Sequence, residues 1–357
     1  MLDTDRVRRA FPHLARSVYL NTAAAGLSWQ GQGKAAAEFY ESGKSKGMGG
    51  AREWAAKVSA AKEELGNLLD VPPHRIHFLG STTEALNLIA LSLPLKSGDK
   101  VVVAADEFPS VIESWAKWKT RGVEIVNVPI AHEEERTEAL CSAITASVRA
   151  VAVSHVHWRT GTRVNLEKLG ARCRECDSRL IVDGVQAVGA IPVNAGLADA
   201  YCASVFKWLI SGFGLGFVTV SERLAGELQP ILRGYNNEPP SRSVSYGHIN
   251  YPGVYALQAS LEYMRSIGWT AIHAQVDKLA LRAIGSLGSR GFNVVTPVHA
   301  HAGIVSIQHP SASALVQALA DQSIFVEDRG PVVRASPHFY NTDDDIDRFV
   351  SALVRSA

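Results

Sequence analysis

Two stretches, Leu180-Ile-Val-Asp183-Gly-Val-Gln186 and Ser204-Val-Phe-Lys207-Trp-Leu, decide how this chain reads. In the first, an apolar run ends in a carboxylate and, shortly after, an amide. In the second, one lysine stands among apolar residues, and a glycine-rich stretch follows, Ser211-Gly-Phe-Gly214-Leu-Gly216. An acidic residue at the carboxyl end of an apolar strand sits where open α/β sheets bind ligands. The alternative for Asp183-Gly184 is an ordinary turn. A lysine in apolar surroundings loses hydration, which favours the neutral amine. A neutral amine attacks carbonyls and forms Schiff bases. A nearby carboxylate can pair with a pyridinium nitrogen, the arrangement that pyridoxal phosphate (PLP) needs. The pair points to that cofactor rather than to a metal or a Ser/His/Asp triad.

Around these segments, helical and strand patterns alternate from about residue 50 to 220. Ala51 to Asp70 carries Trp54, Ala55, Val58, Ala61, Leu65, Leu68 and Leu69 at helical spacing. Strands are expected at 76–79, 101–105, 123–128, 150–156, 180–184, 200–205 and 216–220. Helices are expected from 82, over 110–119 and 133–147, and from 165. This rhythm predicts a three-layer α/β domain with a mostly parallel sheet covered on both faces. It breaks at Arg233-Gly-Tyr-Asn-Asn-Glu-Pro-Pro-Ser-Arg-Ser, an exposed polar loop. Beyond it, two long helical patterns (254–266 and 270–287), a strand at 303–307, a helix at 312–322, strands at 324–326 and 332–335 and a last helix at 344–354 form a smaller α+β module. The expected division is a segment 1–20 packing on the small domain, a large domain 21–235 and a small domain 236–357.

The chain has 357 residues, 46% hydrophobic and 20% charged, with a formal net charge of +1. That composition describes an ordinary globular protein. It gives no basic run for nucleic acid and no apolar run long enough for a bilayer. The N-terminus lacks the apolar core of a signal peptide, so a cytoplasmic protein is expected. Cys173 and Cys176 form a C-x-x-C, but no second ligand pair completes a zinc site, so two thiols on one helical turn is the preferred reading. His299 and His301 have a metal-like spacing. Without a Cys, Asp or Glu nearby in sequence, they are taken as incidental, and no metal is expected.

Four further segments carry chemistry. Gly80-Ser81-Thr82-Thr83-Glu84 joins a strand to a helix. It is either an ordinary N-cap or, beside Lys207 and Asp183, an anion site built from free amides and hydroxyls. Asp106-Glu-Phe108-Pro-Ser follows a strand, and Phe108 is either a packing residue or a stacking partner for a flat ring. Ser154-His-Val-His157-Trp158-Arg-Thr160-Gly-Thr follows another strand, with each histidine and Trp158 open between site and core. Arg334 interrupts an apolar strand, where its guanidinium wants a carboxylate, from substrate or from protein.

Together these segments resemble the class V aminotransferase family of fold-type-I PLP enzymes. The resemblance runs from Val18-Tyr-Leu-Asn21-Thr-Ala-Ala-Ala-Gly26 to Phe339-Tyr-Asn-Thr-Asp-Asp-Asp-Ile-Asp. It implies that Lys207 is the Schiff-base lysine, Asp183 pairs with the pyridinium nitrogen and Gln186 faces the phenolic oxygen. It implies that Ser81, Thr82, Thr83 and Ser204 hold the phosphate, with Phe108 and Trp158 beside the ring. Arg334 then takes the substrate carboxylate, near Asn21 and Ala24. The family is usually a homodimer with active sites at the interface, and His248 stands where a partner-subunit threonine reaches the phosphate in many relatives. Phe206 and Trp158 also depart from frequent family residues.

The resemblance implies a small amino acid or amine as substrate and chemistry through a Cα carbanion. An aminotransferase is the expected outcome, with a β-eliminating C–S lyase or an epimerase as alternatives. A PLP-binding protein without turnover is a further, different class, disfavoured by the presence of both Lys207 and Arg334. A cysteine desulfurase working through a persulfide cysteine is not expected. Val326-Glu-Asp-Arg329-Gly-Pro runs directly into the Arg334 strand without a cysteine loop, and a persulfide needs an activated thiolate.

Overall fold

Strand residues on alternate sides of one sheet enter two separate cores. Val102, Val151, Val153, Val182 and Ala203 pack into one, and Val101, Val103, Ala152, Ile181 and Cys202 into the other. Such strands have no solvent-facing side, which is why they read as continuous apolar runs. The computed structural model describes residues 2–237 and 244–356. The expected polar loop at 233–243 therefore lies partly outside the described residues.

The strands in chain order are β1 (Val18–Tyr19), β2 (Ile76–Leu79), β3 (Lys100–Ala104), β4 (Glu124–Val128), β5 (Val148–Ser154), β6 (Arg179–Asp183) and β7 (Ala200–Ser204). There follow β8 (Gly216–Val220), β9 (Asn293–Val294), β10 (Val305–Gln308), β11 (Ile324–Phe325), β12 (Glu327–Asp328) and β13 (Val332–Ala335). The large sheet has the order β2-β8-β7-β6-β5-β3-β4. Only β8 runs against its neighbours, pairing antiparallel with both β7 and β2. That reversal lets β2 and β7 end at the same edge, with Leu79 and Ser204 both opposite Gly216.

Helices cover both faces. They are α1 (Thr4–Arg9), α2 (Gln30–Lys46), α3 (Ala51–Leu69), α4 (Thr82–Ser92), α5 (Pro109–Glu113), α6 (Ala116–Lys119), α7 (Arg136–Ala143) and α8 (Leu166–Glu175). The remainder are α9 (Glu222–Ala225), α10 (Tyr251–Ile267), α11 (Trp269–Gly288), α12 (Ala312–Ala320) and α13 (Asp343–Ser356). Leu65, Leu140, Leu169, Val254 and Leu257 cover one face of the sheet; Leu86, Ile89, Trp115 and Trp118 cover the other. Full burial of each such side chain is worth about 1.5–3 kcal/mol. A four-stranded antiparallel sheet, β12-β13-β10-β9, packs with α11, α12 and α13 around a third core. Val18 and Leu20 join that core, and β1 pairs with β11. No helix among the described residues is long and apolar enough to cross a membrane.

The structure corrects three sequence expectations. The helix expected over 110–119 is two pieces. Ser114 Oγ donates to the Val111 carbonyl, a local bond that competes with helix continuation. Residues 144–147 leave the helix expected over 133–147. Ile144 turns extended and enters the core, and its carbonyl accepts Arg172 Nη2 at 2.7 Å. The α2 helix was not anticipated. Its Gly31, Gly33 and Gly43 lower helix propensity, and it packs on α10 instead.

One buried cation ties the strand ends together. Arg136, 1% exposed, spans Asp106 after β3 and Glu133 before α7. Its Nη1 and Nη2 donate to the two Asp106 oxygens at 3.0 and 2.6 Å, and Nε donates to Glu133 at 3.0 Å. Thr160 and Thr162 also donate to Glu133. Asp106, Glu133 and His157 form the single cluster of metal-ligand type among the described residues, and Arg136 already supplies its positive charge. Burial favours the neutral acids, but the bonds from Arg136 outweigh it and hold both carboxyls below their usual range. Arg136→Met strands two partly buried carboxylates, so a loss of about 3–5 kcal/mol is expected at neutral pH. Thermal melts check it, and the deficit should shrink as the pH falls and the carboxylates take up protons; a deficit unchanged by acid contradicts the account.

Candidate active site

Asp183, Ser154 and Ser204 end adjacent parallel strands, and Ser154 and Asp183 are register partners. Lys207 follows three residues after β7. These side chains open on a cavity of about 230 Å³, lined also by Ser81, Thr82, Thr83, Phe108, Ser110, Val156, Trp158, Gln186 and Phe206. The cavity thus collects nine of the sequence-expected site residues. Ser110, Ser154, Val156, Val185 and Phe206 line it without having been anticipated. Ser154, Val156 and Trp158 share the cavity because alternate residues of an extended segment face one side. His155 and His157 face away. His155 bonds the Tyr201 hydroxyl at 2.8 Å, and His157 bonds Thr160 at 2.8 Å, so both are satisfied structural histidines.

Burial sets the electrostatics of the central pair. It pushes the Asp183 carboxyl from 3.8 up to about 6, opposed by the Val185 amide and by Lys207. It pushes the Lys207 amine from 10.5 down to about 8, opposed by Asp183 and assisted by Arg334 and Arg329. Both shifts disfavour charge in a site withdrawn from water. Asp183 Oδ1 accepts from Val185 N at 2.9 Å, and Oδ2 has no hydrogen bond among the described residues. Gly184 lets the chain pass the Tyr201 ring, where a Cβ would stand 1.9 Å from a ring carbon.

The Gln186 amide is fixed without ambiguity. The indole N–H of Trp208 is a donor only, and it donates to Gln186 Oε1 at 2.9 Å. Gln186 Nε2 then donates to the Ala23 carbonyl at 3.0 Å, leaving a second N–H for a ligand. Phe108 is 40% exposed and meets Trp158 edge-on, with ring centroids 5.7 Å apart.

The helix end beside them is less open than expected. Ser81 caps α4 by accepting from Glu84 N at 3.1 Å. Thr82 N donates to Ser204 Oγ at 2.8 Å, and Ser204 N donates to Thr82 Oγ1 at 2.7 Å. These bonds lock α4 onto β7. Most first-turn amides are spent inside the protein; Thr83 N remains without a partner among the described residues, beside the Thr83–Ser110 hydroxyl pair at 2.8 Å.

Four expected residues do not line this cavity. Arg334 lies behind Trp158, donating from Nη1 to its carbonyl at 2.7 Å, while its buried Nε and Nη2 have no partner among the described residues. Asn21 donates to Glu327 at 2.7 Å, and Ala24 sits in the turn after it. The same turn reaches the lysine segment, where Gly26 N donates to the Phe206 carbonyl at 2.9 Å. His248 packs against Tyr235 and Tyr251 in a different groove.

The donor set fits PLP: an amine of lowered pKa, a buried carboxylate with a free oxygen, a polar helix end and orphaned guanidinium nitrogens. The comparisons agree. The family model for class V aminotransferases matches residues 18–349. A probable cysteine desulfurase of Methanothermobacter thermautotrophicus is 27% identical, covering 96% of this chain and 95% of the relative. The isopenicillin N epimerase of Streptomyces clavuligerus is 27% identical over 85% of each chain. A solved structure of a C-DES mutant with glycine covalently linked to the PLP cofactor superposes with a TM-score of 0.91 at 21% identity, covering 98% of this chain and 99% of that one. The sequence expectation against a cysteine desulfurase is not borne out by these likenesses. Nor do they confirm the expected aminotransferase.

The shifted pair makes the cofactor-free protein sensitive to pH. Between pH 8 and 10.5 the unfolded chain holds a proton on Lys207 that the folded chain lacks, so stability rises with pH there. Between pH 3.8 and 6 the folded chain holds the extra proton on Asp183, so stability falls with pH. Both penalties are present from pH 6 to 8. Cofactor-free Lys207→Met should therefore be more stable than the parent at pH 7, by about 1–3 kcal/mol. Denaturant titrations should show the advantage fading toward pH 10.5; an advantage independent of pH contradicts the burial of a titrating amine.

Proposed function

The chain belongs to the class V aminotransferase family of PLP-dependent enzymes, and on that premise we propose that it cleaves the Cβ–S bond of a cysteine-class amino acid by β-elimination. The observation that carries the amino-acid reading is Arg334, a buried guanidinium with two unpaired nitrogens whose charge is felt at Lys207. A substrate α-carboxylate satisfies those nitrogens. The sulfur reading draws support from the full-length likeness to proteins named cysteine desulfurases.

In this reading Lys207 is the residue that carries the cofactor. Asp183 faces the ring nitrogen, Gln186 the phenolic oxygen, and Phe108 and Trp158 the ring. Ser81, Thr82, Thr83 and Ser204 form the phosphate end, with His248 contributed by a second copy in a homodimer. Bound there, PLP supplies an electron sink for negative charge at the substrate Cα. Arg334 fixes the carboxylate, with Asn21 and Ala24 beside it. Lys207, its amine pushed down to about 8, takes the Cα proton as general base near neutral pH. The proton it then holds is available to the departing sulfur. β-Elimination needs no enzyme thiolate. That matches the placement of the cysteines: none lines the Lys207 cavity, and burial pushes the Cys202 thiol well up.

A panel of single amino acids tests the proposal. Cysteine or cystine should give pyruvate, ammonia and a sulfur product without accumulation of the pyridoxamine form. A pyridoxamine form with a keto product points to transamination, and Cα deuterium exchange without a keto product points to epimerisation; either overturns it. Arg334→Gln should raise KM about tenfold or more, with kcat little changed and the cofactor absorbance retained.

A further inference from the structure

The turn that carries Lys207 is strained and held from outside. Ile210, a buried β-branched residue, has a φ of +45°, a left-handed conformation that such residues rarely adopt. Strain of this kind persists only where the surrounding structure over-determines it. Three distant segments grip the carbonyls of this turn. Gly26 N donates to the Phe206 carbonyl at 2.9 Å, and Ser260 Oγ, on α10, donates to the Ile210 carbonyl at 3.3 Å. His338 Nε2 bonds the Trp208 carbonyl at 2.9 Å.

The histidine is the decisive grip. A carbonyl only accepts, so Nε2 carries the proton and Nδ1 does not. Nδ1 is buried with no partner among the described residues. Burial pushes the imidazole down to about 3, so it stays neutral. An apolar side chain could fill the space beside Trp208, Phe339 and Tyr340 without burying an orphaned nitrogen. The Trp208 bond is the one polar bond of this side chain among the described residues, and it falls on the residue next to Lys207. The carbonyl is also enclosed by backbone: a Cβ on Gly189 would stand 2.6 Å from its oxygen.

His338 lies four residues beyond Arg334 in one short segment. Between them, Ser336 Oγ accepts from Ala23 N at 2.9 Å, and the Ala23 carbonyl accepts from Gln186. The His338 backbone is itself pinned, its N–H donating to Asn341 Oδ1 at 2.9 Å. The segment thus carries the unpaired guanidinium at one end and a clamp on the lysine turn at the other. We propose that His338 is a positioning residue: by holding the Trp208 carbonyl, it sets the Lys207 amine in register with a substrate carboxylate at Arg334. The inference rests on the reading of Arg334 as the carboxylate site. A misplacement of 1 Å between such groups costs about a hundredfold in rate.

The test compares His338→Leu, which removes the donor, with His338→Gln, whose amide nitrogen can restore it. In cofactor-free His338→Leu, hydrogen exchange read by mass spectrometry should be about tenfold or more faster over residues 205–211, with β5 and β6 unchanged. In holoenzyme, kcat on the amino acid identified by the panel should fall about tenfold or more with KM little changed. His338→Gln should recover most of both losses. Histidine-selective ¹⁵N labelling of the parent holoenzyme should show His338 as the neutral Nε2–H tautomer, whether or not His338→Leu folds. The Nδ1–H tautomer overturns the proposal. So does exchange over 205–211 that is unchanged, or that rises equally in β5 and β6. The KM of Arg334→Gln separates the two readings. If it is unchanged, both fall; if it rises while kcat of His338→Leu stays intact, this proposal alone falls.

Discussion

Withdrawal of one amine and one carboxylate from water, side by side at the carboxyl edge of a parallel sheet, is the constraint on which the rest of the site depends. Lys207 and Asp183 are each pushed toward neutrality by burial and partly restored by the other. A pair of this kind destabilises the fold on its own account. It is tolerated because strands buried on both faces supply far more apolar burial than the pair costs. In the proposed reaction, the same withdrawal is what equips the lysine to serve as nucleophile and base near neutral pH and the carboxylate to act on a bound ring.

The scaffold serves that pair at several removes. The single reversed strand, β8, brings the α4 helix end to Ser204, and reciprocal Thr82–Ser204 bonds fasten it. Trp208, next to the lysine, fixes the Gln186 amide, while Gln186 grips the Ala23 carbonyl. Glu107, buried after β3, accepts from the Ser154 amide at 2.9 Å and so holds the neighbouring strand end. Arg136 anchors the strand ends below Trp158. Apart from the local Arg136–Glu133 pair, each contact joins segments well separated in sequence.

That distance explains what could be read from the residues alone. Lys207, Asp183 and the Thr82–Thr83 turn were legible because each carries its signal within a few residues: an apolar run, a charge and a glycine. The parallel sheet was legible from alternation. The direction of β8 was not, since a strand's composition says nothing of its orientation. The α2 helix was hidden by glycines whose cost is met by packing on α10. The free amides expected at the α4 end were overestimated, because Ser204, the partner of Thr82, comes from a distant strand.

The account stands or falls on Lys207 as the residue that carries the cofactor. Borohydride reduction of the purified holoenzyme, followed by proteolysis and mass spectrometry, reads this directly. The account predicts a pyridoxyl-phosphate mass on the peptide containing Lys207 and on no other lysine. A label on a different lysine, or a lysine-linked absorbance that persists in Lys207→Ala, would contradict it.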